Sequence, residues 1–226
     1  MKSRYLTLGL FLLTAIGYGQ GSNTIELSDF TELKVYDRIT VSLVKSDENK
    51  LVITGANKDE VDISEKGALL KIRMELDNFL AGNETKATLY YNEELSLIDA
   101  NENAKIISDE TYQGKKTIIR GQEGAVINLD LAVDYVYVRA ISGSEITLTG
   151  KSTEQEIAVN TGGKVYNEDF NTQHTIATVL AGGRANVKAS SKVVAKVKAG
   201  GAIYIYGNPK NIEKNKVFGG KINVME

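Results

Sequence analysis

The residues best suited to chemistry are tyrosines on short alternating runs. Tyr137, Tyr166, Tyr204 and Tyr206, with Tyr135 beside them, would form rows on a rigid sheet, the rings stacking on sugars while the hydroxyls hydrogen-bond. The same rings could instead pack between strands. Asp99, Glu102, Glu123, Asp130, Asp134 and Glu145 are the candidates for paired-carboxylate work. Glycosidic cleavage needs two carboxyl groups about 5–10 Å apart, a spacing that neighbouring β-coils stacked about 4.8 Å apart could provide. These acids do not fall in register: the residue ahead of successive corner glycines is Glu123, then Ser142, then Gly162. No catalytic residue is assigned, and the chain is read as a non-enzyme.

The rest of the inventory closes other routes. With no Cys, the chain has no disulfide, no thiolate metal site and no cysteine nucleophile. His174, the only histidine, follows Asn171-Thr172-Gln173 in a polar stretch and reads as a loop residue. Neither Ser-His-Asp catalysis nor a two-histidine metal site has room. Calcium fares no better, because no EF-hand loop and no Gly-Gly-x-Gly-x-Asp repeat is present. The nearest cluster, Asn128, Asp130 and Asp134, reads as a solvated turn. No metal and no cofactor are expected. A net charge of −2 gives no basic excess for nucleic acid. Lys192, Lys196, Lys198, Lys210, Lys214, Lys216 and Lys221 make the last segments basic, a face that would draw anions or simply blunt strand edges.

The N-terminus has the form of a secretory leader. Lys2 and Arg4 precede a run of about a dozen apolar residues, and Gly17 and Gly19 stand three and one positions before a cut ahead of Gln20. The run is short of the roughly 20 residues that span a bilayer. A signal peptide over 1–19 is expected, leaving an exported protein, periplasmic or at the cell surface, with no transmembrane segment after cleavage.

A repeat organises the second half. Val159-Asn160-Thr161-Gly162-Gly163, Val179-Leu180-Ala181-Gly182-Gly183, Val197-Lys198-Ala199-Gly200-Gly201 and Val217-Phe218-Gly219-Gly220 recur at steps of 20, 18 and 19 residues. Each pair precedes a short alternating strand, and weaker copies end at Gly143, at Gly124 and around Asn101-Glu102-Asn103. Such a period suits one coil of a parallel β-helix. Gly143, Gly162, Gly163, Gly182, Gly183, Gly200, Gly201, Gly219 and Gly220 are the expected corners, where glycine permits a left-handed turn and close stacking. Ala185 to Ala199 has some helical spacing, but Val193, Ala195, Val197 and Ala199 also share one face of a strand. Register with the other repeats selects strand. Asn101, Asn103, Asn160, Asn167, Asn186, Asn208 and Asn223 are expected to satisfy backbone groups at corners.

From Ile25 to about Leu95 the period-2 pattern persists without glycine corners. Leu33/Val35, Ile39/Val41/Leu43, Leu51/Ile53, Val61/Ile63, Leu70/Ile72/Met74 and Ala87/Leu89/Tyr91 mark six candidate strands, joined by turns rich in Asp and Asn. They would cover the open first coil. The organisation expected is a signal peptide at 1–19, an N-terminal β region at 20–95 and β-helix repeats at 96–226, the last two as one folding unit.

Taken in order, Phe30-Thr31-Glu32-Leu33-Lys34-Val35, Ile39-Thr40-Val41-Ser42-Leu43, Leu51-Val52-Ile53-Thr54-Gly55, Gly67-Ala68-Leu69-Leu70-Lys71-Ile72, Leu95-Ser96-Leu97-Ile98-Asp99-Ala100 and the glycine rungs resemble the auto-transporter adhesin head GIN domain of secreted bacterial proteins, common in Bacteroidetes. The resemblance runs from Phe30 to Val224. It implies an all-β fold, a right-handed parallel β-helix of about seven short coils capped by an N-terminal β region, with export and adhesion as the role. It brings no catalytic residues, and with the sequence ending at Met225-Glu226, self-export through a C-terminal barrel is not expected. The function expected is non-catalytic binding of a polysaccharide or of another envelope or host protein. A carbohydrate-active β-helix enzyme and a self-associating structural component, a homo-oligomer, are the alternatives.

Overall fold

The computed structural model describes residues 21–78 and 80–225. The expected leader lies outside the described residues. The strands are β1 (Asn23–Glu26), β2 (Glu32–Val35), β3 (Thr40–Lys45), β4 (Lys50–Gly55), β5 (Val61–Lys66), β6 (Leu69–Met74), β7 (Thr85–Tyr91), β8 (Leu97–Ala100), β9 (Lys105–Gly121), β10 (Val126–Ala140), β11 (Glu145–Val159), β12 (Lys164–Leu180), β13 (Arg184–Lys198), β14 (Ala202–Tyr206), β15 (Asn211–Val217) and β16 (Lys221–Val224). They join one 16-stranded sheet that winds as a parallel β-solenoid of about seven turns. Among the described residues three short 3₁₀ turns interrupt it, at Lys58–Glu60, Leu76–Asn78 and Gly82–Glu84.

Alternation builds the core. On β9 to β13 every second residue points inward on either side of a break near the middle of each strand, and in-register parallel pairing stacks equivalent residues into columns. One column runs Val41, Ile106, Ile127, Ile146, Val165, Ala185, Ile203, and a second, on the other half of the coil, runs Leu33, Ile98, Ile119, Val138, Ile157, Ala177, Ala195. These side chains are buried. Each contributes roughly 1.5–3 kcal/mol by leaving water, alanine less. Segment Arg184–Lys198 is strand, as its register requires.

Each coil closes through two successive left-handed residues. At Thr161 and Gly162 φ is 47° and 73°, and at Ala181 and Gly182 it is 51° and 87°. At Gly163 and Gly183 the second glycine of the pair serves space instead, a Cβ on Gly163 colliding with the Ala140 carbonyl one coil away, whereas Gly201 and Gly220 also take positive φ of 95° and 96°. Corner bonds to corner, with the Asn103 N–H on Glu123 O at 2.9 Å and the Gly124 N–H on Ser142 O at 3.1 Å.

Parallel pairing begins before the glycine corners do. β2 pairs in parallel with β8, and β3 with β9. Between them Asp37 and Arg38 take φ of 57° and 65°, the same left-handed pair without glycine. The remaining N-terminal strands extend both halves of this first coil, β7, β4 and β1 beyond β3, and β6 and β5 beyond β2.

The solenoid also encloses polar groups. The Asn167 side-chain carbonyl accepts the Leu148 N–H at 3.1 Å where the β11–β12 register shifts, and its amide donates to Gln155 Oε1 at 3.0 Å. Gln155 in turn donates to the Thr175 hydroxyl at 3.0 Å. Asn167 thus satisfies a backbone group inside a strand, where a corner was expected, because the register shift leaves an amide that needs an acceptor.

Candidate functional site

Each coil bends a second time, roughly midway between successive corners, and there the surface is concave. Gly114, Ala132–Asp134, Lys151–Thr153, Asn171–Gln173, Lys188–Ser190 and Gly207 line a groove of about 570 Å³. Its walls come from successive coils, so it crosses the strands and follows the solenoid axis. At about 4.8 Å per step over five steps it is roughly 24 Å long. Small residues make the depression, and hydrogen bonds between coils fix it. Ser152 Oγ donates to Asp134 O at 3.0 Å, Asn171 Nδ2 to Gly150 O at 3.3 Å and Ser190 Oγ to Thr172 O at 3.2 Å. The rim offers Asp134, Lys151, Thr153, Gln173 and Lys188, donors and acceptors repeated along an axis. Such a trough suits an extended, hydroxyl-rich chain.

The tyrosines divide between the two halves of the coil. Tyr166 and Tyr204 occupy one outward column with Asn186 between them, roughly 10 Å apart at two ladder steps. Tyr206 lies two residues on, on the same side of β14. The Arg184 guanidinium sits over both rings, 5.7 Å from Tyr166 and 4.5 Å from Tyr204, steered by the Nε bond to Asn186 Oδ1 at 3.0 Å. A cation thus lies over these two rings. Tyr137 stands on the other half, between Ile118 and Glu156. Beside it Tyr135 donates to Glu156 at 3.2 Å and carries Lys116 over its ring at 5.1 Å. The structure therefore brings Tyr166, Tyr204 and Tyr206 together and leaves Tyr137 apart. None of them lines the groove.

The acids are placed differently from their reading in sequence. Glu102 and Glu123 do share a register, since both take the first left-handed position of a corner, and Asp37 occupies that position on the preceding coil. The three line a second cleft of about 640 Å³ with Tyr36, Arg38, Lys71, Arg73, Leu76 and Leu80. Glu102 is pushed up to about 7, first by its hydrogen bond with Asp37, then by partial burial and the charges of Asp37 and Glu123, against the pull of Lys71. Behind this corner buried Asp99 is raised by burial, against Lys34, and accepts from Asn101 at 3.2 Å. Asp130 accepts from Thr149 at 2.7 Å, and Glu145 pairs with Lys164 at 2.6 Å. Asp134 lies on the groove rim. His174 sits on strand β12 between Glu154 and Lys192, where a loop was expected, because ladder pairing resumes there after a break in alternation that leaves Gln173 and His174 both exposed. Among the described residues no three His, Asp or Glu are arranged to hold a metal ion.

Comparison with known proteins adds the following. The family model described as "Putative auto-transporter adhesin, head GIN domain" matches residues 29–209. A "putative adhesin" of Bacteroides fragilis superposes with a TM-score of 0.82 at 15% identity, covering 92% of this chain and 98% of that one. A "putative lipid binding protein" of Parabacteroides distasonis gives 0.71 at 16%, with 93% and 98% covered. A "putative adhesin" of Parabacteroides merdae gives 0.72 at 14%, with 93% and 98% covered. At such identities the likeness establishes the fold. No curated protein matches the chain. Among the described residues no helix is long and apolar enough to cross a membrane.

Proposed function

The chain belongs to the auto-transporter adhesin head GIN domain family, and on that footing we propose that it is an exported, non-catalytic adhesin-like protein that binds an extended polysaccharide along its axial groove. The observation that carries the reading is the groove itself, a rigid trough crossing successive coils with polar groups on its rim and its floor hydrogen-bonded coil to coil. A rigid trough needs no ordering on binding, and repeated contacts add affinity. The tyrosine face of Tyr166, Tyr204 and Tyr206 is a secondary contact for the same polymer, and Tyr137 serves only a ligand on the opposite half. Another envelope or host protein is the other partner class, through the same faces.

A second reading follows from the corner cleft. Leu76 and Leu80 are 80% and 57% exposed beside Arg38, Lys71 and Arg73, a combination that fits an anionic amphiphile and agrees with the lipid-binding name of one structural neighbour. One experiment separates the readings. Neutral and anionic polysaccharides and a fluorescent fatty acid are titrated against the protein and against Thr153→Trp, which fills the groove from an exposed position. The groove reading expects saturable polysaccharide binding that weakens at least tenfold in the variant, a loss of about 1.4 kcal/mol. Polysaccharide binding unchanged by Thr153→Trp would remove the groove, and fatty-acid binding alone would leave the cleft.

A further inference from the structure

The two ends of the solenoid oppose each other in charge. Among the described residues no strand pairs with the outer edges of β5 and β1 at one end, or of β15 and β16 at the other. An unpaired edge is a template for a further strand. The inward columns show which strand it fits. The column Leu70, Leu33, Ile98, Ile119, Val138, Ile157, Ala177, Ala195 is apolar throughout, yet it begins at Glu65 on β5 and ends at Lys214 on β15. The next column runs from Ile63 to Lys216. Glu65, Lys214 and Lys216 are exposed.

From this juxtaposition we propose that copies of this protein stack head to tail, the β15/β16 edge of one against the β5/β1 edge of the next. A copy displaced along the axis sets Glu65 in the column of Lys214, two ladder steps away across a gap that long lysine side chains span, with Lys216 beside the same carboxylate. One Glu65 oxygen already accepts the Ser28 N–H at 2.7 Å, which holds the group in place and leaves the other for an ammonium. Strand directions permit the junction of β1 with β16, which run parallel; β1 lies one strand beyond β5, so β15 and β5 stay two ladder steps, about 10 Å, apart. Lysines at inward positions of an edge usually repel other edges. Here they set a preference. Tail to tail, lysines would face lysines, and head to head, Glu65 would face Glu65, whereas head to tail pairs opposite charges. Such a contact is heterologous and does not close, so it yields rows of growing length. The inference is independent of the groove.

Sedimentation of the purified protein over a concentration series tests it. The account expects open-ended association at low salt that weakens at least tenfold in high salt, since the pairing is screened. Lys214→Glu with Lys216→Glu carries acid at both ends and Glu65→Lys carries base at both; each alone is expected to stay monomeric, with unchanged circular dichroism, and mixing them to restore association. Wild type monomeric at every concentration in low salt, a plateau at dimer, association of either variant alone, or failure of the folded mixture to associate would overturn the proposal.

Discussion

The first corners of the solenoid and the later ones adopt the same backbone with opposite kinds of residue. Asp37-Arg38 and Glu102-Asn103 hold positive φ with full side chains, while Ala181-Gly182 and Ala199-Gly200 place glycine at the second position. A side chain in this conformation costs about 1–2 kcal/mol, less for Asn and Asp. The later coils avoid much of that cost. The early coils accept it and gather three carboxylates at one edge, in a cleft shared with Arg38, Lys71 and Arg73. The stacked backbone bonds impose the corner, and residue type is then free to serve something else.

The comparison is broken most severely at the second glycines. In Gly183→Val the new side chain meets the Val159 side chain and the Gly163 carbonyl. A loss of at least about 3 kcal/mol is expected, seen as collapse of the denaturant midpoint. A loss under 1 kcal/mol would mean that the coils are stacked less closely. The first glycines sharpen the contrast. Gly162→Ala has open space but φ of 73°, so it should cost about 1–2 kcal/mol. Glu102→Gly, at the first left-handed position of an early corner (φ 53°), should gain about 0.5 kcal/mol, strain relief being partly offset by freedom in the unfolded chain. Equal effects at both corners would end the distinction.

Because Glu102 is exposed and solvent screens its charge, the smallest expected effect is on pH dependence. Glu102 ordinarily titrates near 4.5 and is raised to about 7, so the folded state holds its proton more tightly than the unfolded one. Its stabilising contribution is complete below 4.5 and disappears as pH rises through 7. Denaturant midpoints of wild type minus those of Glu102→Gln should fall across that window. A flat difference would show that Asp37 and Glu102 do not share a proton.

Much of the fold is legible in sequence because alternation and glycine are physical signals. All six apolar alternations before Leu95 are strands, and Gly162, Gly182, Gly200 and Gly219 stand at positive φ. The early corners escape the same reading, since Asp37, Arg38 and Glu102 carry no mark of a left-handed backbone that neighbouring coils enforce. For that reason the shared register of Glu102 and Glu123 stays hidden until Asp37 is seen beneath them. The groove is quieter still. Gly114, Ala132, Ser152 and Ser190 are unremarkable residues from different coils, and their only trace is a break in alternation between Val133 and Val136.

The central claim is that strands on both sides of Leu95 belong to one solenoid, although β1–β4, β4–β7 and β5–β6 pair antiparallel where the later coils pair in parallel. Native-state hydrogen exchange tests it most directly. The account predicts that amides of β2 and β3 open with protection within about tenfold of those in β10 and β11, as one cooperative unit. Amides around Leu33 and Val41 exchanging thousands of times faster than those around Val138 and Ile157 would contradict it.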